Sequence, residues 1–356
     1  MEEGWYSSGE AAYWEPRPDG CLVCALCPHH CVLKPGAWGL CRVRRAVPGP
    51  EGARLSLPHW GAISSLAVDP IEKKPLHHFL PGSSVFSAGF VGCNLRCPFC
   101  QNWEISQDPD AAARRLDPEE LVAAALESGA PSIAYTYSEP VVHFEFVRDC
   151  MRLARAGGLR NVLVTNGCLE EAPARELLAL CDAANVDLKC WSAEDYSRRL
   201  GGNLDAVKTF IALAAESCHL EVTTLVVPGL SDADGDIAEM SVFLSAISPD
   251  IPWHLSAYHP AWKESVDPTD PALLSRLASL ARLRLSYVYT GNLPGGRADS
   301  ACPSCGAILV RRRLWKTEIL GLEAMAPPAS GVRCRACSRA LPFTLGEAGV
   351  PGRRSR

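Results

Sequence analysis

Cysteine supplies most of the chemistry in this sequence, with 17 among 356 residues, and its placement is uneven. Three fall in VGCNLRCPFCQNW as Cys93-x3-Cys97-x2-Cys100, and four as Cys24-x2-Cys27-x3-Cys31-x9-Cys41, with Cys21 just ahead of them. Four more form two knuckles, Cys302-x2-Cys305 and Cys334-x2-Cys337, separated by 28 residues. The scattered Cys150, Cys168, Cys181, Cys190 and Cys218 read as small buried apolar residues. The opening MEEGWYSSGE is acidic and lacks the apolar h-region of an export signal. A cytoplasmic protein is expected, and in a reducing compartment clustered thiols are metal ligands or catalysts rather than disulfides.

Each cluster implies a different centre. Three thiolates in one tight loop can hold three irons of a [4Fe–4S] cubane, which ordinarily takes four cysteines. No fourth cysteine follows Cys100 at nearby spacing, so one iron would keep an open position, the mark of a catalytic metal site. A three-ligand zinc site is the competing reading. The set Cys24, Cys27, Cys31 and Cys41 suits tetrahedral zinc or an auxiliary iron–sulfur cluster, with structural zinc slightly favoured and Cys21 as a competing ligand. Paired knuckles such as Cys302/Cys305 and Cys334/Cys337 make a closed zinc ribbon.

The elements that must position these residues are visible between about 83 and 290. Short apolar runs alternate there with amphipathic stretches: SVFSAGF, PSIAYTY, NVLVTN, ANVDLK, HLEVTTLVV, WHLSAY and LSYVYT. Helices are expected from Asp117, with Pro118 and Glu120 completing the start signal, from about His143 to Ala156, and from about Asp270 to Leu283. Seven strand–helix units predict an α/β fold with a parallel sheet, a complete or partial TIM-like (β/α) barrel. Chemistry in such barrels gathers at the carboxyl ends of the strands. The Cys93 loop follows the first strand, Glu139 the second, Asn166 the third, Lys189 the fourth and His259 the sixth. Asn185, Asp187 and Lys189 are spaced by two, so they share one face of their strand.

The triad with Phe99 before its last cysteine resembles the radical S-adenosylmethionine (radical SAM) superfamily. KKPLHHFLPGS, GCNLRCPFCQNWEISQ, AYTYSEP, LVTNG, NVDLK, EVTTLVVPG and YVYTGN look, in this order, like the radical SAM member of the AmmeMemoRadiSam system, itself similar to pyruvate formate-lyase activating enzymes. The resemblance implies Cys93, Cys97 and Cys100 as cluster ligands. It implies contacts to SAM from Ser138, Glu139, Asn166, Asp187, Lys189 and His259. It also covers the Cys24–Cys41 segment. The implied activity is reductive cleavage of SAM to a 5′-deoxyadenosyl radical that abstracts hydrogen from an unidentified substrate. A glycyl-radical activase is the alternative within that chemistry. A ferredoxin or flavodoxin reductant and Memo-family and AMMECR-type partner proteins are implied with it.

Three segments are expected: a cysteine-rich 1–60, a barrel over 61–296, and a basic zinc-ribbon-like 297–356. Net charge is −5, yet residues 297–356 carry 11 basic against 4 acidic side chains. That local +7 allows a nucleic acid or acidic partner, although a solvated basic surface is the simpler reading. A non-enzymatic, multi-metal scaffold binding such a partner is the competing function, and the polar set Glu139, Asp187, Lys189 and His259 is what a scaffold has no need of. With no run of eighteen apolar residues, no membrane span is expected.

Overall fold

All seven apolar runs become parallel strands of one sheet. The computed structural model describes residues 9, 11–50, 52–108, 110–293, 298–313, 316–325 and 331–346. In the central part the strands are β1 (Ala62–Pro70), β2 (Ser84–Phe90), β3 (Arg114–Arg115), β4 (Ser132–Thr136), β5 (Arg160–Thr165), β6 (Ala183–Asp187), β7 (His219–Val226), β8 (Trp253–Ala257) and β9 (Val288–Gly291). Their order is β9-β8-β7-β6-β5-β4-β2-β1-β3. Strands β2 and β4 to β9 run parallel, while β1 lies antiparallel beside β2 and β3 antiparallel beside β1. β9 and β3 are the edges, so the α/β sheet is a partial barrel rather than a closed one.

The longer covering helices are α1 (Pro118–Glu127), α2 (Phe144–Ala156), α3 (Glu171–Leu178), α4 (Leu204–Ser217), α5 (Asp234–Ile247) and α6 (Pro271–Ala281). Their starts follow local chemistry. The Asp117 N–H donates to Glu120 Oε2 at 2.9 Å, and Asp270 Oδ1 accepts from the Ala272 N–H at 2.8 Å. The outward strand residues Val186, Leu188, Val222 and Leu255 are fully buried in the helix-covered core. The inward residues are largely polar, the reverse of an apolar barrel filling.

Residues 14–16, 22–24 and 32–33 form a small three-stranded sheet ahead of the barrel. It is fastened to α2 by the buried Arg44–Glu145 pair at 2.7 Å. It is also fastened to the loop after β2. His29 Nε2 meets the Asn94 carbonyl at 2.6 Å, Arg42 donates to the Gln107 carbonyl at 2.8 Å, and Arg96 donates to the Leu40 carbonyl. Gly92 has φ +77°, and a Cβ there would lie 2.6 Å from the Cys41 carbonyl oxygen, so only glycine permits this approach.

The tail forms two further three-stranded sheets, 300–301/308–313/316–319 and 322–324/332–334/340–341. It packs beside edge strand β9 and the 71–80 segment. Phe343 stacks on His78 with ring centroids 3.8 Å apart, and the Thr344 N–H donates to the His78 carbonyl at 2.9 Å. Tyr289 of β9 bonds His78 Nε2 at 2.7 Å and Ser300 Oγ at 2.6 Å. The buried Arg312 donates to the His77 and Ala298 carbonyls and to Ser300 Oγ. The open side of the barrel, at edge strand β9, is thereby walled by the tail packed on the 71–80 segment. No helix among the described residues is long and apolar enough to cross a membrane.

Candidate active site

Alternation along the strands aims one set of polar side chains into the sheet's concave side. There they line a cavity of about 650 Å³, within the ~300–1,000 Å³ of small-molecule sites. Cys93, Cys97 and Cys100 lie at its mouth, and Ser138, Glu139, Asn166, Asp187 and Lys189 line it with them. Five of the six residues proposed from sequence as SAM contacts therefore share one cavity with the triad. His259 does not line it. Its exposed ring bonds the Asn292 carbonyl at 3.1 Å, at the end of β9, so it reaches the cavity only through a rim residue.

The cysteine loop is held by its backbone and by asparagines, with added contacts at its sulfurs: the Leu95 N–H donates to Cys93 Sγ at 3.3 Å, and Cys100 Sγ lies 3.3 Å from Ser106 Oγ. Asn94 Nδ2 donates to the Cys168 carbonyl at 2.7 Å, and the Arg96 N–H donates to the Leu200 carbonyl at 2.7 Å. Asn166 Nδ2 donates to Asn94 Oδ1 at 2.9 Å and lies 3.7 Å from Cys93 Sγ. Burial pushes the Cys93 thiol well up and that of Cys97 up to about 11. Thiolates here need a metal centre to hold their charge.

Glu139 is buried and accepts from Thr165 Oγ1 at 2.6 Å, the Asn166 N–H at 2.8 Å and the Val141 N–H at 3.2 Å. Burial outweighs these donors and pushes it up to about 7. A cation placed against it would restore its charge, as the amino group of an amino acid does. Beside it the Ser138 hydroxyl is buried with no hydrogen-bond partner among the described residues. Lys189 Nζ pairs with Asp187 Oδ2 at 2.9 Å, and both face the cavity while the intervening Leu188 is fully buried on the other face. Burial works against the Lys189 charge, yet Asp187 outweighs it and holds the ammonium well above its usual range. The donor set fits a zwitterion: three sulfurs for a cluster, an orphaned hydroxyl with a carboxylate, and an ammonium–carboxylate pair.

Sequence reasoning passed over a second polar group in the same cavity. Glu221 of β7 is fully buried and accepts from the backbone N–H groups of His77 and His78 at 2.9 and 2.7 Å. It also meets His219 Nε2 at 3.0 Å and His254 Nε2 at 2.6 Å. His77, His254 and Tyr289 line the cavity. The HH pair of KKPLHHFLPGS and the period-two spacing of Glu221, Thr223 and Leu225 were the available signals.

The outer cysteine sets differ in spacing. The sulfurs of Cys302, Cys305, Cys334 and Cys337 all lie within 4.8 Å of one another, with Cys302–Cys337 at 3.6 Å and Cys305–Cys334 at 3.7 Å. Zn–S bonds of about 2.3 Å place the sulfurs of a tetrahedron about 3.8 Å apart. Among the described residues no such compact group forms at Cys24, Cys27, Cys31 and Cys41. Gly39 nevertheless packs between Cys41 and Cys31, 3.7 and 4.0 Å from its Cβ direction, and the Cys24 N–H donates to the Cys31 carbonyl at 3.0 Å. Cys21 sits apart, in the turn between the first two short strands.

A sequence profile described as the Radical SAM superfamily matches residues 89–241. The chain is 37% identical over 343 residues to an uncharacterized protein of Methanocaldococcus jannaschii, covering 94% of this chain and 99% of that one. It is 26% identical over 165 residues to the pyruvate formate-lyase 1-activating enzyme of Escherichia coli (strain K12), covering 44% of this chain and 67% of that enzyme. Among solved structures, Streptococcus suis SuiB bound to precursor peptide SuiA gives a TM-score of 0.48 at 15% identity, covering 63% of this chain and 51% of that one.

Proposed function

This chain belongs to the radical SAM superfamily and is an enzyme of it, and on that premise we propose that Cys93, Cys97 and Cys100 hold its [4Fe–4S] cluster beside a SAM bound in the same cavity. The observation that carries the assignment is the triad sharing a cavity with Ser138, Glu139, Asp187 and Lys189. Once bound, these groups supply one-electron cleavage of the S–C5′ bond, giving methionine and a 5′-deoxyadenosyl radical for hydrogen abstraction. The protein's part is placement. Glu139 and the Ser138 hydroxyl take the methionine amino group, Asn166 orients the Cys93 loop, and Asp187 with Lys189 presents one charge of each sign to the zwitterion. His259 acts at the rim, through Asn292. Anaerobically reconstituted, reduced protein is expected to convert SAM to methionine and 5′-deoxyadenosine without added substrate. Intact SAM after many cluster equivalents of reductant would reject this function.

The electron donor in this reading is a ferredoxin or flavodoxin in the cytoplasm. The ordered motifs support placement in the AmmeMemoRadiSam system, with Memo-family and AMMECR-type partners. The similarity to activating enzymes supports a second reading, in which the hydrogen comes from the glycine of a glycyl-radical partner. The three segments divide the labour: 1–60 holds an outer metal centre against the cysteine loop, 61–296 does the chemistry, and 297–356 closes the open side. The sulfur spacing favours zinc at Cys302, Cys305, Cys334 and Cys337. The looser set Cys24, Cys27, Cys31 and Cys41 favours an auxiliary iron–sulfur cluster over zinc.

Two expectations follow from these placements. Lys189→Met keeps much of the stem and removes the charge, so SAM affinity should fall by ten- to a hundredfold, roughly 1.5–3 kcal/mol, with iron content intact. Leu188→Ala, one residue away in the core, should instead cost about 2–5 kcal/mol of stability. Isothermal titration with SAM and thermal melts separate the two, and a Lys189→Met variant with normal affinity would remove Asp187 and Lys189 from the site. In the tail, Cys305 and Cys337 are exposed, so their replacement by serine disturbs no core packing. That double variant should lose one zinc per chain by elemental analysis, and undiminished zinc would reject the ribbon site.

A further inference from the structure

The end of the cavity away from the cysteine loop is built around a carboxylate that no SAM contact uses. Along the parallel register His254 of β8 stands beside Thr223 of β7 and Tyr289 of β9, with Ser256 one inward position nearer the mouth. Beneath them Glu221 is ringed by donors. Burial alone would raise its carboxyl, but hydrogen bonds from His219 and His254 hold it well below the usual range, so it is ionised and accepts only. His254 Nε2, 2.6 Å away, must therefore be the donor, and this fixes the tautomer. His254 Nδ1 is left as a lone-pair acceptor in a ring that lines the cavity.

His77 meets the His254 ring edge-on with centroids 4.5 Å apart, and burial, with the Arg312 guanidinium nearby, keeps it neutral. A neutral imidazole has one donor and one acceptor. His77 Nδ1 is buried with no partner among the described residues, whereas His219 Nε2, His254 Nε2, His78 Nε2 and the Tyr289 hydroxyl are all hydrogen-bonded. The Tyr289 ring stacks on His254 at 5.3 Å, locking its plane. The charged groups around this end are already partnered: Glu221 behind it meets His219 and His254, and Glu72 in its wall meets Arg312. Arg312 lies 3.7 Å from Glu72, and Lys73 pairs with Asp69 at 3.1 Å. A charged substrate group placed here would find its possible counter-ions already engaged, in a desolvated site.

We propose that this end is the substrate-recognition site, that it takes a neutral hydroxyl-bearing substrate, and that His254, positioned by Glu221, accepts the hydroxyl's hydrogen bond. The proposal rests on the radical reading above. In the hydrogen-transfer step a carbon–hydrogen bond next to that hydroxyl breaks homolytically and a hydrogen–C5′ bond forms. The product is 5′-deoxyadenosine, and the unpaired electron remains on the substrate carbon.

The test uses the reconstituted full chain with two perdeuterated probes of one skeleton, propane-1,2-diol and lactate, which differ in a carboxylate. The 5′-deoxyadenosine formed should carry deuterium from the diol and several-fold less from lactate. His254→Gln keeps an N–H toward Glu221 but lacks the Nδ1 acceptor. It should lower the fraction of 5′-deoxyadenosine that carries deuterium roughly three- to tenfold, the loss of one neutral hydrogen bond. In ¹⁵N-histidine-labelled, oxidised wild-type protein, His254 should be the neutral Nε2–H tautomer, with an Nδ1 resonance that moves with the diol and not with lactate. Equal labelling from lactate, an undiminished deuterated fraction in His254→Gln, or an Nδ1–H or doubly protonated His254 would each overturn the proposal. Protein that makes no 5′-deoxyadenosine while His254 shows the expected tautomer and diol response would overturn the radical reading and leave the recognition site standing.

Discussion

Alanine at Cys93, Cys97 and Cys100 together is expected to reduce 5′-deoxyadenosine formation to background, with about four irons per chain lost and the tail's zinc retained. The loop should survive the change. Its shape is held by Asn94, by the Arg96 N–H on Leu200 and by Asn166 on Asn94, none of which involves a sulfur. Burial disfavours ionisation of the Cys93 and Cys97 thiols, so without metal they are neutral and their removal strands no charge. Iron and zinc analysis with product chromatography reads all three outcomes. Undiminished SAM cleavage in the triple variant would place the cluster elsewhere, with Cys24, Cys27, Cys31 and Cys41 as the remaining set able to hold it.

The second large effect is structural. Glu145→Leu is expected to cost about 3–5 kcal/mol, because it leaves the Arg44 guanidinium buried without its counter-ion. Both carboxylate oxygens meet Arg44 Nη2, at 2.8 and 2.7 Å, and Oε1 also accepts from the Ala12 N–H at 2.7 Å. Both side chains are almost wholly buried. The pair joins the cysteine-rich segment to α2, so the variant should loosen that segment first, detected as faster amide exchange over residues 11–46 and a lowered urea midpoint. The double variant Arg44→Met/Glu145→Leu should recover much of the loss, since replacing both charges by apolar groups removes the desolvation problem. A single variant as stable as the wild type would mean that water reaches the pair.

What the sequence disclosed follows the range of the interactions. Each of the seven strands was legible because a run such as NVLVTN or WHLSAY carries its own apolar signal, and α1 and α6 because Asp117 and Asp270 announce them locally. The inward face of β6 could be read from the spacing of Asn185, Asp187 and Lys189. Glu221 and His254 could not be read in the same way, since a fully buried carboxylate makes sense only with donors from His77 and His78, more than 140 residues earlier. Arg44 and Glu145 likewise lie 101 residues apart, and neither looks unusual alone. His259 was placed correctly at a strand's carboxyl end, but the loop beyond β8 turns its ring outward onto Asn292. Spacing left the metal at Cys24–Cys41 open because thiol count is common to zinc and iron–sulfur centres.

The wall across the open side of the barrel also sets the order in which the molecule can be completed. His77 waits for Arg312, 235 residues further on, and His78 Nδ1 for the Pro342 carbonyl, 264 residues further on. Contacts at that separation bear the largest loop-closure entropy and form late, whereas the Cys93 loop finds Asn166 and Cys168 within about 75 residues. During synthesis the triad and its asparagine supports can assemble while the His77 end still lacks the tail that seals it.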